Sequence, residues 1–530
     1  MPPRALLKGV TMRQSTHVVT STLMALLIMG SSWLPAGAAD GSREFLKLDL
    51  TLAQTGAAQL PPIPPAGVME LSLRDSIALA LKNNLDIAIE GFNPRLREQD
   101  LTNEKAVFDP SAFLEFTRTD NRQPAGLNFL LGQRILSDFF NYNVGLKQKL
   151  PTGGTYELRF DNEYDSQTAV SSSGFTSTLG LTLTQPLLKN FGFEATETNI
   201  RIATNNQSIS REQLRLRVSD IVTQVQNGYF ELTFAIENLE VQRRSLRLAQ
   251  ELVALNKARV RAGVAAPVEV TQAEALEASR VQDVILAEKA VRDAEDTLKV
   301  ILNLPVNGGW GQEIRPTHTM IFDPKPVNLD ASIQKALEAR YEYKSAKLDI
   351  ENKELSVRLT RNQLLPDLSL VGSVFSTGVG TTYGGNLSEM GSGDFVSYSV
   401  GVILTVPLGN RGPQASYIKA KLSADQARTS LKNLELQIIQ QVREGVRRVE
   451  ADAKRVEANR AARVLAEEQL RVEQRRLEAG VTTTFNVLSF QRDLSEAQAN
   501  EIRAIADYFK SLANLEKVRG TVLEANQIEM

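Results

Sequence analysis

Residue types that usually carry catalysis or bind metal are scarce in this chain of 530 residues. It has two histidines, His17 and His318, and no cysteine. No histidine cluster is therefore available to bind a catalytic metal or to assist a serine nucleophile. Acidic residues are plentiful, but they recur at the spacing of exposed helix faces, where solvation or pairing with lysine and arginine is the default. The sequence predicts no catalytic residue, no metal site and no cofactor, and a protein that is not an enzyme.

Two short glycine-containing segments mark an internal repeat. Arg261–Val264 has the sequence RAGV, and Glu478–Val481 has the sequence EAGV. Each segment interrupts a long, alanine-rich helical pattern, with about 65 residues before the glycine and about 38 after it, or roughly 100 Å and 57 Å of helix. The sequence therefore predicts a very long helical hairpin in each copy, with glycine supplying the left-handed conformation of the turn.

Paired landmarks elsewhere in the chain indicate the same duplication. Each copy runs through a short helix, a strand region, a long helix, a turn and a second helix. The separation of the pairs falls from 256 residues at Pro110 to 221 residues at Pro186, so the first copy carries 35 extra residues between these prolines. The pairs are Leu73 and Leu329, Pro110 and Pro366, Pro186 and Pro407, Gly228 and Gly445, and Gly263 and Gly480.

The net charge of the chain indicates which partners to expect, and its N-terminal residues indicate where the protein is located. The formal net charge is −2, from 60 basic and 62 acidic residues, so nothing indicates a general polyanion binder and nucleic acid is not an expected partner. Basic residues precede the apolar stretch Ser21–Leu34, and small residues follow it up to Ala39, which is typical of a secretory signal peptide at residues 1–39. The alternative is an uncleaved anchor, but about 14 apolar residues are fewer than the roughly 20 of a spanning helix.

The rest of the chain divides at the repeat boundaries. We expect an extended lead-in at 40–70, a first repeat at 71–315, a linker at 316–328, a second repeat at 329–520 and a tail at 521–530. The absence of cysteine excludes a lipid anchor attached through that residue. No stretch after residue 39 has 18 consecutive apolar residues, so a membrane crossing has to be made by β-strands.

The short helix that opens each copy is predicted from apolar residues that recur every four positions. In the first copy it covers Leu71–Ala106. Gly91 and Pro94 predict a kink or break within it, because proline lacks the amide hydrogen and crowds the preceding turn. No such break is expected in its counterpart, Leu329–Gln363.

Alternating segments predict two β-strands in each copy. Most are about nine or ten residues long, which is the length of a tilted strand crossing a bilayer but also suits a soluble sandwich. The segments are Phe113–Thr119, Ser177–Gln185, Asp367–Phe375 and Ser397–Val406.

Two further segments lie near these strands. The 35 extra residues contain a hairpin candidate, Tyr142–Leu150 and Thr155–Tyr164 around a PTGG turn, which either enters the membrane or projects beyond it. Gly372–Gly393 is rich in glycine, serine and threonine and is expected to be an exposed loop. It contains no lysine, and no helix start follows it directly, so a phosphate site is not expected there.

Strands in a bilayer must close on themselves, because each unpaired amide or carbonyl exposed to lipid costs several kcal/mol. Four strands cannot close a pore, so the sequence predicts that copies of the chain assemble. Two chains would give a filled barrel of eight strands, and three would give a barrel of twelve with room for a channel. The alternative of a soluble coiled-coil scaffold without a pore has no use for four amphipathic strands together with a signal peptide.

Eight segments, in order, carry a resemblance to a known family. In the first copy they are LSLRDSIALALKNN, FDPSAFLEF, LTLTQPLL, QVQNGYFEL and RAGVAAPVEVTQAEA, and in the second LLPDLSLVGSVF, VILTVPLG and EAGVTTTFNVLSFQRDLSEAQ. Their order, spacing and duplication resemble the outer membrane efflux proteins, the TolC-like family, over about Leu71–Gly520. The resemblance implies an α+β fold and a homotrimer: a twelve-stranded transmembrane barrel, four strands per chain, continued in the periplasm by an α-helical coiled-coil tunnel about 100 Å long.

The resemblance also implies functional residues. In the family, the glycine turns contact a periplasmic adaptor protein, and polar or ionic links just after the turns hold the tunnel entrance. Glu269 matches an acidic residue at that entrance, whereas Asn486 and Ser489 stand where well-known members carry acids, which weakens the case for a cation-binding ring. The adaptor-contact residues implied here are Arg261, Ala262, Gly263, Val264, Ala479, Gly480, Val481 and Thr482.

The function that follows is a passive exit duct of a tripartite efflux system in the outer membrane. Its expected partners are two further copies of the chain, a periplasmic adaptor, an inner-membrane efflux transporter and outer-membrane lipid. Type I protein secretion by the same architecture is the first alternative, and a periplasmic scaffold without a pore is the second. The sequence names neither the substrate nor the transporter.

Overall fold

The computed structural model describes residues 51–52, 67–123, 135–167, 173–306, 308–317, 319–324 and 326–530. The predicted signal peptide at 1–39 lies outside these residues, as do most of the expected lead-in before residue 67 and both histidines. Two successive sets of elements follow the predicted order of short helices, strands and a long helical hairpin.

In the described residues, the first copy contains five α-helices and most of the strands. Its elements are β2 (Val68–Leu71), α1 (Leu73–Asn83), α2 (Leu85–Lys105), β3 (Ser111–Gln123), β4 (Ile135–Lys149), β5 (Thr155–Gln167), β6 (Ser173–Pro186), α3 (Phe193–Thr196), α4 (Thr198–Arg261), α5 (Pro267–Leu302) and β7 (Glu313–Pro316); the strand β1 (Thr51–Leu52) precedes them.

The second copy repeats this order with fewer strands. Its elements are α6 (Leu329–Ala339), α7 (Tyr341–Asn362), β8 (Asp367–Gly380), α8 (Tyr383–Ser392), β9 (Val396–Thr405), α9 (Arg411–Glu478), α10 (Thr484–Arg519), α11 (Val522–Ala525) and β10 (Ile528–Glu529).

The long helices confirm the predicted hairpins. Helices α4 and α9 have 64 and 68 residues, and their partners α5 and α10 have 36 each. Val218, Val222 and Val225 of α4 are fully buried, so the apolar stripe faces the neighbouring helices as an amphipathic pattern requires. Charged residues on the other side leave much of each helix exposed to water.

The paired glycines Gly228 and Gly445 lie where the long helices approach their partners closely. A Cβ atom at Gly445 would be 3.3 Å from Leu515 and Val518 on α10, and one at Gly228 would be 3.5 Å from Leu298 on α5. Glycine at these two equivalent positions therefore lets each long helix approach its partner closely, which explains why the landmark recurs.

The helix break predicted near Gly91 and Pro94 is wrong. Helix α2 continues through Pro94, and the break lies at Asn84, whose side chain accepts hydrogen bonds from the amides of Asp86 and Ile87 and so caps a new helix. The counterpart also breaks, at Arg340, between α6 and α7. Since 340 − 84 = 256, the two breaks are equivalent, although only Asn84 caps the following helix with its side chain and Arg340 does not.

The main sheet has six strands in the order β3-β4-β5-β6-β8-β9, all antiparallel. The four predicted strands correspond to β3, β6, β8 and β9, the last prediction extending one residue beyond β9 to Val406, and the hairpin candidate forms β4 and β5. This hairpin pairs with β3 on one side and with β6 on the other. The count of four strands per chain therefore omits two, because the 35 extra residues extend the sheet instead of leaving it.

The exposed loop expected at Gly372–Gly393 is also wrong. Strand β8 continues to Gly380, and α8 then folds back over the sheet. The side chain of Asn386 is fully buried; it donates to the Ser177 hydroxyl at 2.6 Å and accepts from the Ser177 amide. Thr382 caps the helix by accepting from the Gly385 amide. A glycine-rich composition is compatible with this packing because Gly378 and Gly380 give α8 room beside β8.

Two small sheets connect distant parts of the chain. Strand β2 pairs in parallel with β7, and β1 pairs with β10 near the C-terminus. The C-terminal residues after α10 are partly buried, with Val522 fully inaccessible. Within the described residues, no helix combines the length and the apolar character needed to cross a membrane.

Candidate functional site

The six-stranded sheet has one apolar face and one polar face. Side chains alternate between the faces, and the registers place like residues side by side: Leu181 lies opposite Leu158 on β5 and Val374 on β8. So large an exposed apolar surface indicates contact with lipid or with another protein. Exposed residues of this face are Leu114, Phe116, Val144, Leu158, Leu179, Leu181, Leu183, Leu370, Val374, Val396, Tyr398, Val400, Val402 and Leu404.

A belt of aromatic rings crosses the apolar face at the end remote from the long helices. Phe140 of β4 lies between Phe116 of β3 and Tyr164 of β5, with ring centroids 6.4 and 6.5 Å away. Tyr164 in turn lies 4.8 Å from Phe175 of β6. Four neighbouring strands thus contribute rings at one level, which is the arrangement found where a membrane sheet meets the headgroup region.

The opposite face carries charged and hydroxyl side chains. Its main ionic group surrounds Arg159 of β5, whose guanidinium lies 2.6 Å from the Asp161 carboxylate. Glu115 and Glu157 lie 3.4 and 3.6 Å from the same guanidinium, which also covers the ring of Phe113 at 5.7 Å. Strand β6 adds a row of threonines. This face is suited to water and polar solutes.

The prediction of a left-handed glycine in the turn of each long hairpin is confirmed. Gly263 has φ +76° and Gly480 has φ +74°. In each turn the amide of the next valine donates to a carbonyl at the end of the long helix: Val264 to Arg259 and Val481 to Arg476, both at 3.0 Å. The space beside both glycines is open, so the conformation and not a lack of room requires glycine.

The predicted adaptor-contact residues lie at the ends of the two hairpins. All are exposed except Thr482, which is half-buried. Val264 and Val481 are about two-thirds exposed, and each is followed four residues later by another exposed apolar side chain, Val268 or Phe485. Both tips therefore present apolar side chains to solvent, a feature that suits a protein contact. Their contact with an adaptor stays a prediction.

Glu269 links the two hairpins of one chain. Its carboxylate accepts a hydrogen bond of 2.6 Å from the Thr484 hydroxyl on α10. The Thr484 oxygen also lies 3.3 Å from the Asn256 amide oxygen, and the Asn256 side chain donates to the Glu269 carbonyl. Thr484 and Asn256 are both fully buried. We call Asn256, Glu269 and Thr484 the tip link.

The other two gate candidates do not join this group. Asn486 donates to the Thr482 hydroxyl at 3.0 Å within its own hairpin, and Ser489 accepts from Arg492 on the same helix. Thr482 in turn donates to the carboxylate of Glu473, which is buried and paired with Arg476. The structure thus places Glu269 between the hairpins and leaves Asn486 and Ser489 within the second.

An apolar cluster packs beside the tip link. Val487 and Leu488, next to Thr484, pack with Leu477 of α9 and Leu252 of α4. This packing excludes water around the Thr484 hydroxyl, while Glu269 stays half-buried, and the partial burial strengthens the hydrogen bond between them. Among the described residues, no cluster of three or more acidic or metal-binding side chains is placed to hold a metal ion.

Comparison with known proteins identifies the family. The sequence pattern of the outer membrane efflux protein family matches residues 149–304 and 332–521, which together make up more than half of the chain. The chain belongs to the outer membrane efflux protein family. The two matched ranges correspond to the two repeats, each containing a long hairpin.

Individual relatives of this efflux protein are distant. It is 24% identical over 347 residues to the outer membrane protein TolC of Vibrio cholerae, covering 64% of this chain and 74% of that one. It is 21% identical over 471 residues to the proteases secretion protein PrtF of Dickeya chrysanthemi, covering 87% and 90%. For the five curated relatives that it matches, the chain spans from 61% to 90% of the relative's own length.

A solved structure shares the fold. The outer membrane channel CmeC of Campylobacter jejuni superposes with a TM-score of 0.61 at 16% identity, covering 84% of this chain and 85% of the other. The family consists of outer-membrane channels, not enzymes, so the sheet of this efflux protein belongs to the outer membrane and its helical hairpins to the periplasm.

Sequence reasoning found Glu269 but missed its partners. The signal was present in the repeat: Thr484 stands where the first copy has Pro267, and Asn256 stands where the second has Glu473, each pair 217 residues apart. Polar residues that differ between equivalent positions at a tip are candidates for contacts between the two hairpins. The family resemblance drew attention to acids alone and so passed over a threonine and an asparagine.

Proposed function

We propose that this chain is the outer-membrane exit duct of a tripartite efflux system, through which small molecules leave the cell. The duct itself performs no chemistry. An inner-membrane transporter supplies the energy and a periplasmic adaptor joins the two. Export of the chain to the outer membrane depends on the signal peptide expected at 1–39.

The observation that carries this proposal is the two-faced sheet with unpaired edges. Within the described residues, the outer edges of β3 and β9 have no strand beside them. Since lipid cannot satisfy edge amides and carbonyls, these edges must pair with further copies of the chain. The apolar face then meets lipid and the polar face encloses water. Membership in the efflux protein family supports the assembly of three copies of the chain into a homotrimer.

The periplasmic side of the duct is built from the four long helices. With about 1.5 Å of rise per residue, the 64 and 68 residues of α4 and α9 extend about 100 Å from the sheet. The exposed apolar side chains at the tips, Val264 and Val481, are suited to receive the adaptor. Arg261 beside the first turn adds a charge to this contact surface.

Opening of the entrance would separate the two hairpins at the tip link. Because Thr484 bridges to Glu269, a movement of α10 away from α5 breaks one charged hydrogen bond and exposes a small apolar cluster. The hydrogen bond contributes about 1.5–3 kcal/mol, so an adaptor that binds the separated tips more tightly than the joined ones would favour the open entrance.

A second candidate function is the release of proteins. The relative PrtF is named as a proteases secretion protein, and it matches 87% of this chain. The two functions use the same architecture and differ in the transporter and the cargo.

Gene deletion with complementation tests these functions. Loss of the gene should raise sensitivity to small toxic compounds, and the intact gene should restore resistance. Loss of a secreted protein with unchanged sensitivity would favour secretion instead. Purified protein should also conduct ions in a planar bilayer; its failure to do so would overturn both functions and favour a scaffold without a pore.

A further inference from the structure

The hairpin formed by β4 and β5 is the part of the sheet that the duplication does not explain. It is the product of the 35 extra residues in the first copy, and the second copy has no counterpart. Its place in the sheet determines how many strands each chain brings to the membrane and which side chains line the water-filled side.

Continuous pairing places the hairpin inside the sheet. Strand β4 pairs with β3 from Lys147 to Ile135, and β5 pairs with β6 from Thr155 to Ser166. If the hairpin projected beyond the membrane, β3 and β6 would have to pair directly with each other. Instead they are separated by both strands over their length, so the hairpin crosses whatever layer β3 and β6 cross.

The apolar face continues through the hairpin as far as Phe160. Towards the end remote from the long helices it is interrupted by Asn162, which is buried beneath α8 and accepts a hydrogen bond from Ser177, and by the ion pair of Arg118 and Asp138. Val144 of β4 and Leu158 of β5 are exposed on this face, beside Leu114 of β3 and Leu181 of β6. The aromatic belt likewise includes Phe140 and Tyr164 from the hairpin.

The height of this apolar band fits a bilayer. From Tyr156 to Tyr164 the eight-residue rise is about 27 Å along the strand. With a strand tilt of about 40° this corresponds to a height of about 21 Å, which is most of the band of about 25 Å found on membrane barrels.

The polar face of the hairpin holds most of the charge of the sheet. Strands β4 and β5 place Lys147, Lys149, Glu157, Arg159, Asp161, Glu163 and Asp165 on this face by alternation with the apolar residues. Outside the hairpin, the described strands add Glu115 and Asp367 to the same face, and β6 adds threonines. Without the hairpin, the water-filled side would be lined almost entirely by neutral side chains.

We propose that β4 and β5 form a third membrane hairpin in each protomer, so that three copies close a barrel of eighteen strands whose charged lining comes mainly from this hairpin. The inference rests on the channel function proposed above and revises the number of strands around the pore. Three chains of four strands would close twelve strands, whereas three of six close eighteen, the size at which barrels leave an open aqueous channel. The hairpin thereby determines both the width of the outer opening and its charge.

Single-cysteine labelling tests the placement, and the absence of native cysteine gives a clean background. Val144→Cys and Leu158→Cys, carrying a fluorophore, should be quenched by nitroxide-labelled lipid in proteoliposomes. Asn143→Cys and Glu157→Cys, their neighbours on the polar face, should react with a water-soluble charged maleimide about tenfold faster, since thiolates react in water. Val402→Cys and Ser399→Cys on β9 are the matched controls for the two faces.

The possible outcomes distinguish failure of this inference from failure of the proposed channel function. Quenching at Val402→Cys without quenching at Val144→Cys and Leu158→Cys would place the hairpin outside the membrane and overturn the inference alone. Absence of quenching at all three positions would overturn the membrane sheet and with it the proposed function. Electron cryo-microscopy of the unmodified trimer in lipid nanodiscs, viewed along its axis, should count eighteen strands; a barrel of twelve with three projecting hairpins would refute the inference.

Discussion

At the scale of residues, a few polar side chains at the tips decide how the hairpins hold together. Thr484 and Asn256 are buried beside the carboxylate of Glu269, where one hydrogen bond to a charged group contributes about 1.5–3 kcal/mol. The surrounding surface residues are solvated and contribute little. The tip link therefore has an energy suited to a contact that must form and break.

Removal of the Thr484 hydroxyl should loosen the entrance. Thr484→Val keeps the volume of the side chain but leaves the Glu269 carboxylate without its donor. We expect a higher resting conductance of the purified channel in a planar bilayer. Thr483→Val, at the exposed neighbouring position with no side-chain cap, is the matched control and should conduct like the wild type. Equal conductance of the two variants would show that the tip link does not hold the entrance.

Bulky residues at the tip glycines should block function without disrupting assembly. In Gly263→Leu with Gly480→Leu, the left-handed turn is strained by about 1–2 kcal/mol at each position, and the contact surface changes shape. We expect loss of export in the complementation assay with the trimer retained on unheated gels. Gly412→Leu, at an exposed helical position with open space, should export normally. Retained export in the double variant would refute the adaptor contact at these turns.

At the scale of elements, the C-terminal end of α10 packs against the break between α6 and α7. The break between α6 and α7 at Arg340 packs against Gly520, which ends α10 with φ +74°. A Cβ atom at Gly520 would lie 3.0 Å from the Arg340 backbone, where no flexible side chain can move aside. The equivalent helix breaks at Asn84 and Arg340 thus serve the packing of the long hairpins.

Gly520→Ala should destabilise the protein more than Gly480→Ala. Both glycines have φ +74°, so the backbone strain of about 1–2 kcal/mol is common to them. Only Gly520 adds a collision with backbone atoms, because the space beside Gly480 is open. Thermal unfolding followed by circular dichroism should give the lower Tm for Gly520→Ala. Equal Tm values would show that Arg340 and its neighbours move away at little cost in free energy.

At the scale of the whole molecule, a single chain forms only part of the proposed barrel. By the function proposed here, its apolar sheet face meets lipid, and the two sheet edges that are unpaired within the described residues pair with further copies of the chain. The tips of the hairpins need an adaptor by the function proposed here. Stability of the chain is therefore inseparable from assembly, as it is for obligate oligomers.

The assembled mass provides the most direct test at this scale. The full chain has a mass of 58.4 kDa, so a trimer in detergent should have close to three times that value, reduced slightly by the proposed cleavage of the signal peptide. Light scattering coupled to size exclusion measures it after correction for bound detergent. A mass near that of one chain would contradict the closed barrel, and a mass near two chains would point to a barrel of twelve strands from a dimer.

Local and periodic features were predictable from the sequence alone. The duplication, the long hairpins, the glycine turns at Gly263 and Gly480, and the four repeated strands follow from helix and strand periodicity and from the conformational freedom of glycine. These depend on residues near one another in the chain, so their signal is present without any knowledge of packing.

Tertiary structure alone decided the features that depend on distant neighbours. Pairing across the sheet built β4 and β5 into it, the packing of α8 on β6 and β8 turned an expected loop into a helix, and the approach of α10 to α5 made Thr484 a partner of Glu269. The helix break at Arg340 belongs to the same group, since Gly520 contacts it from 180 residues away (520 − 340). Local periodicity specifies which elements form, whereas burial and strand registry, set by residues far apart in sequence, specify which residues meet.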